Sequence, residues 1–176
     1  MKRQVIAMAT ISLAAMCAPA YPEPLADFDA LVAHCQQAFD QRPLSEVAYA
    51  EAASSWVKRQ YAPASVAFKV QKTGSKVSPF VGQIEVTETA SARRGEDEDS
   101  TRLLNVSMEE NIVRSMRRIN FAYRDDAWIA LGGTAVIEVK RDAADSFSVA
   151  DSIKLSRKAI MELKGPIAAC VNTNRQ

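Results

Sequence analysis

Hydrophobic and polar residues alternate along two neighbouring stretches in the middle of the chain, residues 66–70 and 80–87. Alternation with a period of two is typical of a β-strand that has one buried and one solvated face. Gly74 and Ser75 lie between the two stretches and supply turn residues. The pattern therefore predicts a β-hairpin, whose return strand buries Phe80, Ile84 and Val86.

The same alternation recurs later and predicts an antiparallel meander of about five or six strands. The additional strands are expected at residues 104–108, 119–123, 128–131 and 135–139, separated by a polar loop at 91–100 and by turns at 124–126 and at Gly132 and Gly133. Residues 109–118 fit either a helical turn or a loop that runs into a strand.

Segments with apolar residues at helical spacing flank the meander. Asp27 is a candidate N-cap for a helix that runs to about Phe39, and a second helix is expected from Ser45 to just before Pro63. A last helix, from about Val149, places its apolar residues on one stripe: Ile153, Ile160, Leu163, Ile167, Cys170 and Val171. The predicted fold class is α+β, an antiparallel meander packed against N-terminal and C-terminal helices.

Residues 1–20 are typical of a signal peptide. Lys2 and Arg3 precede an apolar stretch, and the sequence Ala18, Pro19, Ala20 fits a cleavage site after Ala20. A buried N-terminal helix is one alternative. Lipid attachment at Cys17 is another, disfavoured because the bulky Met16 precedes it.

Cleavage would leave residues 21–176 as a single exported α+β domain, periplasmic or secreted, without a transmembrane segment. Loss of Lys2 and Arg3 changes the formal net charge from +1 to −1, which does not favour nucleic acid as a partner. Cys35 and Cys170 would remain, each on the buried stripe of a helix, and an oxidising compartment favours a disulfide between them. Two free thiols are the alternative if the chain is not exported.

Candidate chemistry is sparse. The single histidine, His34, lies beside Cys35, but adjacent helical residues point about 100° apart, so the pair is not a base and its nucleophile. The acidic residues 96–99 lack the spacing of a calcium loop. No catalytic, cofactor-binding or metal-binding residue is assigned, and no cofactor is expected. The basic residues Arg114, Arg117 and Arg118 are the candidate interaction site, with a solvated sheet face as the alternative.

Three functional hypotheses follow. The first is a non-enzymatic exported protein that binds a protein partner or small ligand in the envelope, such as an inhibitor or immunity-type factor. The second is a small-ligand binder or an enzyme with a carboxylate-lined pocket between sheet and helices. The third is a structural subunit of an envelope assembly. An exposed apolar patch favours the first or third, and a pocket with convergent polar groups favours the second.

Overall fold

A computed structural model describes residues 23–142 and 145–171, so the predicted leader at 1–20 lies outside the described residues. The helices are α1 (Glu23–Asp40), α2 (Glu98–Leu103), α3 (Arg157–Met161) and α4 (Pro166–Ala169), with a 3-10 turn at Glu51–Ala53. The strands are β1 (Ser45–Ala50), β2 (Ser55–Tyr61), β3 (Ser65–Lys72), β4 (Phe80–Gly95), β5 (Ile112–Arg124), β6 (Ala127–Lys140) and β7 (Ser148–Ser156). The predicted α+β fold class is confirmed.

One antiparallel sheet contains all seven strands, and β4 is its longest member. The strand order is β1-β2-β4-β5-β6-β7, and β3 also pairs with β4. The carboxyl-terminal part of β4 pairs with β2, and its amino-terminal part pairs with β3 on the same edge. Strands β4 to β7 follow one another as the expected meander.

The core lies between α1 and one face of this sheet, which we call the helix face. The Phe28 ring of α1 is fully buried and lies 4.5 Å from the Trp128 ring and 5.6 Å from the Phe121 ring, centroid to centroid. The Trp128 indole N–H donates to the carbonyl oxygen of Pro24 at 2.8 Å, which fixes the start of α1. Further core residues from the sheet are Ile84, Val86, Ile119 and Tyr123.

The predicted disulfide between Cys35 and Cys170 is present. Both residues are fully buried, their Cα atoms lie 4.4 Å apart, and the bond joins α1 to the end of α4. Because they are 135 residues apart in sequence, the bond closes nearly the whole described chain into one loop.

The short helix α2 packs on the opposite side of the sheet, which we call the far face. Thr101 of α2 is fully buried and lies where a side chain on Gly95 would project. Successive side chains of a strand point to opposite faces, and a side chain on Gly82 would project into Phe28. The two ends of β4 are therefore covered on opposite faces.

Two predicted helices are wrong. Residues 45–61 form β1 and β2, joined by a tight turn in which Ser54 has a positive φ of 46°. Pairing of β2 with β4 overrides the helical preference of the alanines in this segment. The predicted last helix is instead strand β7 followed by α3 and α4, and only its apolar residues from Ile160 onward lie on helical turns or beside them.

Smaller elements also differ from the sequence-based predictions. The helix expected to start after Asp27 starts at Glu23. The predicted polar loop at 91–100 is the end of β4 followed by the first turn of α2, and residues 104–108 do not form a strand. The ambiguous stretch ends in a strand, since β5 begins at Ile112. The predicted break at Gly132 and Gly133 is a β-bulge inside β6.

Substitution of Gly82 by alanine is expected to lower the free energy of unfolding. The added Cβ would lie 2.5 Å from the Phe28 ring, and that ring is held by its aromatic neighbours. Overpacking of this kind costs about 1–3 kcal/mol. Gly74→Ala is the matched control, since nothing lies within 4 Å of its added Cβ. Equal losses in urea denaturation of the two variants would contradict this packing.

The double substitution Cys35→Ser, Cys170→Ser is expected to lower Tm. In the chain-entropy model a loop of this length contributes up to about 5 kcal/mol, which corresponds to about 10 °C or more. Scanning calorimetry with and without reductant provides the control, because reductant should destabilise the wild-type protein and leave the double variant unchanged. The disulfide would be contradicted if the reductant changed neither the Tm nor the electrophoretic mobility of the wild-type protein.

Candidate functional site

A cluster of three charged side chains marks the limit of the region that α1 covers. Arg42 follows α1, Glu88 belongs to β4 and Arg117 belongs to β5. The Glu88 carboxylate accepts a hydrogen bond from Arg42 through one oxygen and from Arg117 through the other. Charge-assisted hydrogen bonds of this kind are the strong ones in proteins, so the cluster links the chain after α1 to two central strands.

Arg42 is held tightly in this cluster. Its side chain is only 10% exposed, and the guanidinium carbon lies 3.9 Å from the centroid of the Tyr61 ring and 5.5 Å from that of Phe39. A guanidinium above an aromatic face is favourable, and more so where water is excluded. Its Nε is buried without a hydrogen-bond partner among the described residues. The contacts make Arg42 a structural connector between α1 and the sheet.

Tyr61 extends the polar network toward β1. Its hydroxyl donates to the Glu46 carboxylate at 2.5 Å, and Arg59 also donates to that carboxylate at 3.1 Å. Burial, followed by the hydrogen bond and the negative charge of Glu46, raises the pKa of Tyr61 to about 12. The tyrosine therefore stays neutral well above its ordinary pKa.

The structure places the three predicted arginines on β5, where each is paired with a carboxylate. Arg117 lies on the helix face and pairs with Glu88. Arg114 and Arg118 lie on the far face, where Arg114 pairs with Glu138 at 3.3 Å and Arg118 pairs with Glu85 at 2.7 Å. The three side chains therefore do not form one basic patch.

Arg114 also contacts an aromatic ring near the start of β7. Its guanidinium carbon lies 3.6 Å from the centroid of the Phe147 ring, and the Lys140 ammonium lies 5.8 Å from the same centroid. Of the three predicted residues, Arg114 is thus the one that contacts the segment leading into β7. The sequence gives no signal for this contact, because Phe147 lies outside any alternating segment.

Strand β7 forms an exposed edge of the sheet. It is the last strand of the path, and among the described strands it pairs only with β6. All of its residues except Leu155 are exposed, including Val149 at 64% and Ile153 at 45%. An edge strand presents a row of unpaired backbone N–H and C=O groups. This surface can pair with another extended chain.

An apolar area on the helix face continues from this edge beyond the reach of α1. Val113 is 39% exposed and pairs with the half-buried Val139, and the half-buried Ile137 lies one diagonal step from Ile153. We call Val113, Ile137, Val139 and Ile153 the edge patch. Contiguous apolar surface left uncovered is typical of an interaction site.

A cavity of about 440 Å³ lies on the far face and is lined by residues of β3, β4, β5 and β6. A smaller cavity of about 250 Å³ adjoins it and shares Lys69 and Gln83 as lining residues. The residues packed between α1 and the sheet are apolar and aromatic, whereas both of these cavities have polar side chains in their walls.

The remaining candidate residues, His34, Cys35 and the acidic residues 96–99, are exposed or take part in structural contacts. His34 is exposed while Cys35 is buried and disulfide-bonded. Asp97 is the N-cap of α2 and accepts a hydrogen bond from the backbone N–H of Ser100 at 2.8 Å, which lowers the pKa of Asp97. Glu98 pairs with Arg102. Within residues 23–142 and 145–171, no group of three acidic, histidine or cysteine side chains is placed to hold a metal ion.

Comparison with known proteins adds nothing to these observations. No protein-family model matches the chain. Searches of curated proteins and of solved structures also give no significant match. In the part of the chain that the structure describes, no helix combines the length and apolar character needed to cross a bilayer.

Tyr61→Phe is expected to remove part of the alkaline sensitivity of the protein. Because the folded state favours the protonated tyrosine, its contribution to stability is complete below the ordinary pKa of 10.0 and is lost as the pH rises toward about 12. Urea denaturation should therefore show wild type more stable than the variant at neutral pH, with the difference shrinking in that range. Tyr49→Phe, at an exposed ring, is the control. A difference independent of pH would contradict the assignment.

Proposed function

We propose that this chain is an exported, non-enzymatic binding protein that captures an extended segment of a protein partner on the free edge of β7. The observation that carries the proposal is the nine-residue edge strand with exposed Val149 and Ile153. In strand addition the main-chain hydrogen bonds give affinity, and alternate side chains give specificity. The disulfide is compatible with export, since oxidising compartments preserve such bonds.

The edge patch supports the proposal by giving the added strand an apolar surface. Ile153 on β7 lies beside Ile137, and Val113 and Val139 extend the same surface across β5 and β6. Side chains from one face of an added strand would pack against Ile153 and extend this apolar surface beyond β7. Burial of apolar surface contributes about 25 cal/mol per Å² before the cost of ordering the partner is subtracted.

Self-pairing of β7 is less favourable than pairing with a different chain. Opposite residues of an antiparallel pair lie on the same face, so a symmetric pair must be centred on a residue. A pair centred on Ser152 places Asp151 opposite Ile153, and a pair centred on Ile153 places it opposite Leu155. A pair centred on Asp151 places it opposite its own copy. Each arrangement sets a carboxylate against an apolar side chain or a like charge, which is unfavourable. The edge therefore fits a partner with a different sequence.

The double substitution Val149→Lys, Ile153→Lys is expected to abolish capture of the partner. Lysine side chains on an edge strand disfavour strand addition, and both positions are already exposed, so the fold should tolerate them. Val77→Lys is the matched control, because Val77 is an apolar residue at least as exposed as Val149 and Ile153, and it lies in the loop between β3 and β4. The tagged proteins are compared by capture from the native envelope and mass spectrometry, followed by affinity measurement with the purified partner.

The expected result is one stoichiometric partner with wild type and with Val77→Lys, and a loss of at least about tenfold in affinity for the β7 variant. Equal recovery of that partner by the β7 variant would overturn the proposal, as would an empty capture by folded, oxidised wild type. Sedimentation provides a further check. A wild-type dimer that the lysines convert to monomer would favour a self-assembling envelope subunit instead.

A further inference from the structure

The larger cavity on the far face has the size and wall chemistry of a small-molecule site. Its volume of about 440 Å³ falls in the range of about 300–1,000 Å³ that is typical of ligand pockets. The side chains used in the argument are Lys69, Val81, Gln83, Asn120 and Leu131. They come from four different strands, so only the paired sheet brings them together.

A β-bulge supplies the apolar wall. Ala130 pairs with Phe121 and Gly132 pairs with Asn120, which leaves Leu131 as the extra residue. Gly132 has a φ of 155°, and a Cβ there would lie 3.0 Å from the carbonyl oxygen of Leu155, so the bulge requires glycine. Bulges commonly redirect a side chain next to a binding site. Here Leu131 remains 43% exposed and lines the cavity together with Val81.

The polar part of the wall retains free hydrogen-bonding capacity. The Gln83 side-chain amide donates to the Asn120 side-chain oxygen at 2.7 Å. This bond uses one donor of Gln83 and one acceptor of Asn120, so the Asn120 NH₂ group remains available to a ligand. Both residues also lie on the far face, where solvent can reach them.

Lys69 gives the cavity a positive charge. The carboxylate that lines the adjoining cavity, Glu85, accepts two hydrogen bonds from Arg118, at 2.7 and 3.0 Å. Lys69 forms no ion pair with any residue that the structure describes. A ligand with a negative charge would therefore compensate the ammonium group without displacing an existing pair.

From this wall we infer that the cavity binds an aliphatic monocarboxylate. The carboxylate accepts hydrogen bonds from the Lys69 ammonium and the Asn120 NH₂ group, and the alkyl chain packs against Leu131 and Val81. A neutral molecule would leave the ammonium uncompensated, and a fully polar anion would leave the apolar wall exposed. This site is distinct from the β7 edge, because β7 contributes none of the residues that line the cavity.

Octanoate titration followed by NMR or calorimetry tests the inference. Wild type is expected to bind octanoate saturably, and Lys69→Met is expected to weaken octanoate binding about tenfold, the scale of one charged hydrogen bond. Lys72→Met is the matched control, because Lys72 is an exposed lysine of the same strand on the opposite face. The neutral octanamide has no charge to pair with the ammonium, so Lys69→Met should weaken octanamide binding less than octanoate binding, and Lys72→Met should change neither.

Leu131→Ala separates the apolar contribution from the charge. It should weaken octanoate and octanamide by the same factor, since both share the alkyl chain. Absence of saturable octanoate binding to wild type would overturn the inference. Equal octanoate affinity of wild type and Lys69→Met would overturn it too. Because no partner protein is involved, either result leaves the role of the β7 edge unaffected.

Discussion

Helix α1 is much shorter than the sheet that it covers, and this difference in length limits how far the core extends. An 18-residue helix is about 27 Å long, whereas the 16 residues of β4 extend for about 53 Å. Helix α1 can therefore bury only the half of the helix face that contains Gly82, Ile84 and Val86. The disulfide from Cys35 to Cys170 holds α1 and α4 over that half. The remaining sheet surface is covered by other elements or stays exposed.

Three features are found where α1 does not reach: charged pairs, helix α2 and an exposed edge strand. Where α1 ends, charge-assisted hydrogen bonds among Arg42, Glu88 and Arg117 replace apolar packing. The apolar core therefore ends at a cluster in which each charged side chain is paired. At the far end of β4, α2 covers the opposite face instead. Beyond both, the edge patch on β5, β6 and β7 stays partly exposed among the residues that the structure describes. The edge patch is thus exposed because the helices are too short to cover it.

The two proposed binding surfaces use different physical features of the same sheet. The β7 edge offers unpaired backbone groups beside apolar side chains, which suits an extended polypeptide. The cavity is lined by β3, β4, β5 and β6, and its wall contains a lysine, a hydrogen-bonded amide pair and the leucine of the β6 bulge, which suits a small amphiphilic anion. A single antiparallel sheet with one partly covered face can present both because its faces and edges are independent surfaces.

The alternating pattern of the chain is enough to predict the strands in which one face is buried and one is solvated. Residues 66–70, 80–87 and 119–123 alternate because one neighbour in two contacts the core, so local pattern and tertiary burial agree. The sequence also predicted the disulfide, from two cysteines on apolar stripes. Strands β1, β2 and β7 follow only from the tertiary structure. In β1 and β2, pairing with a neighbouring strand overrides a helix-like pattern. In β7, exposure on both faces removes the alternation. The tertiary structure also decided the partners of Arg114, Arg117 and Arg118, and the cavity, because cross-strand register and a one-residue bulge set which distant side chains meet.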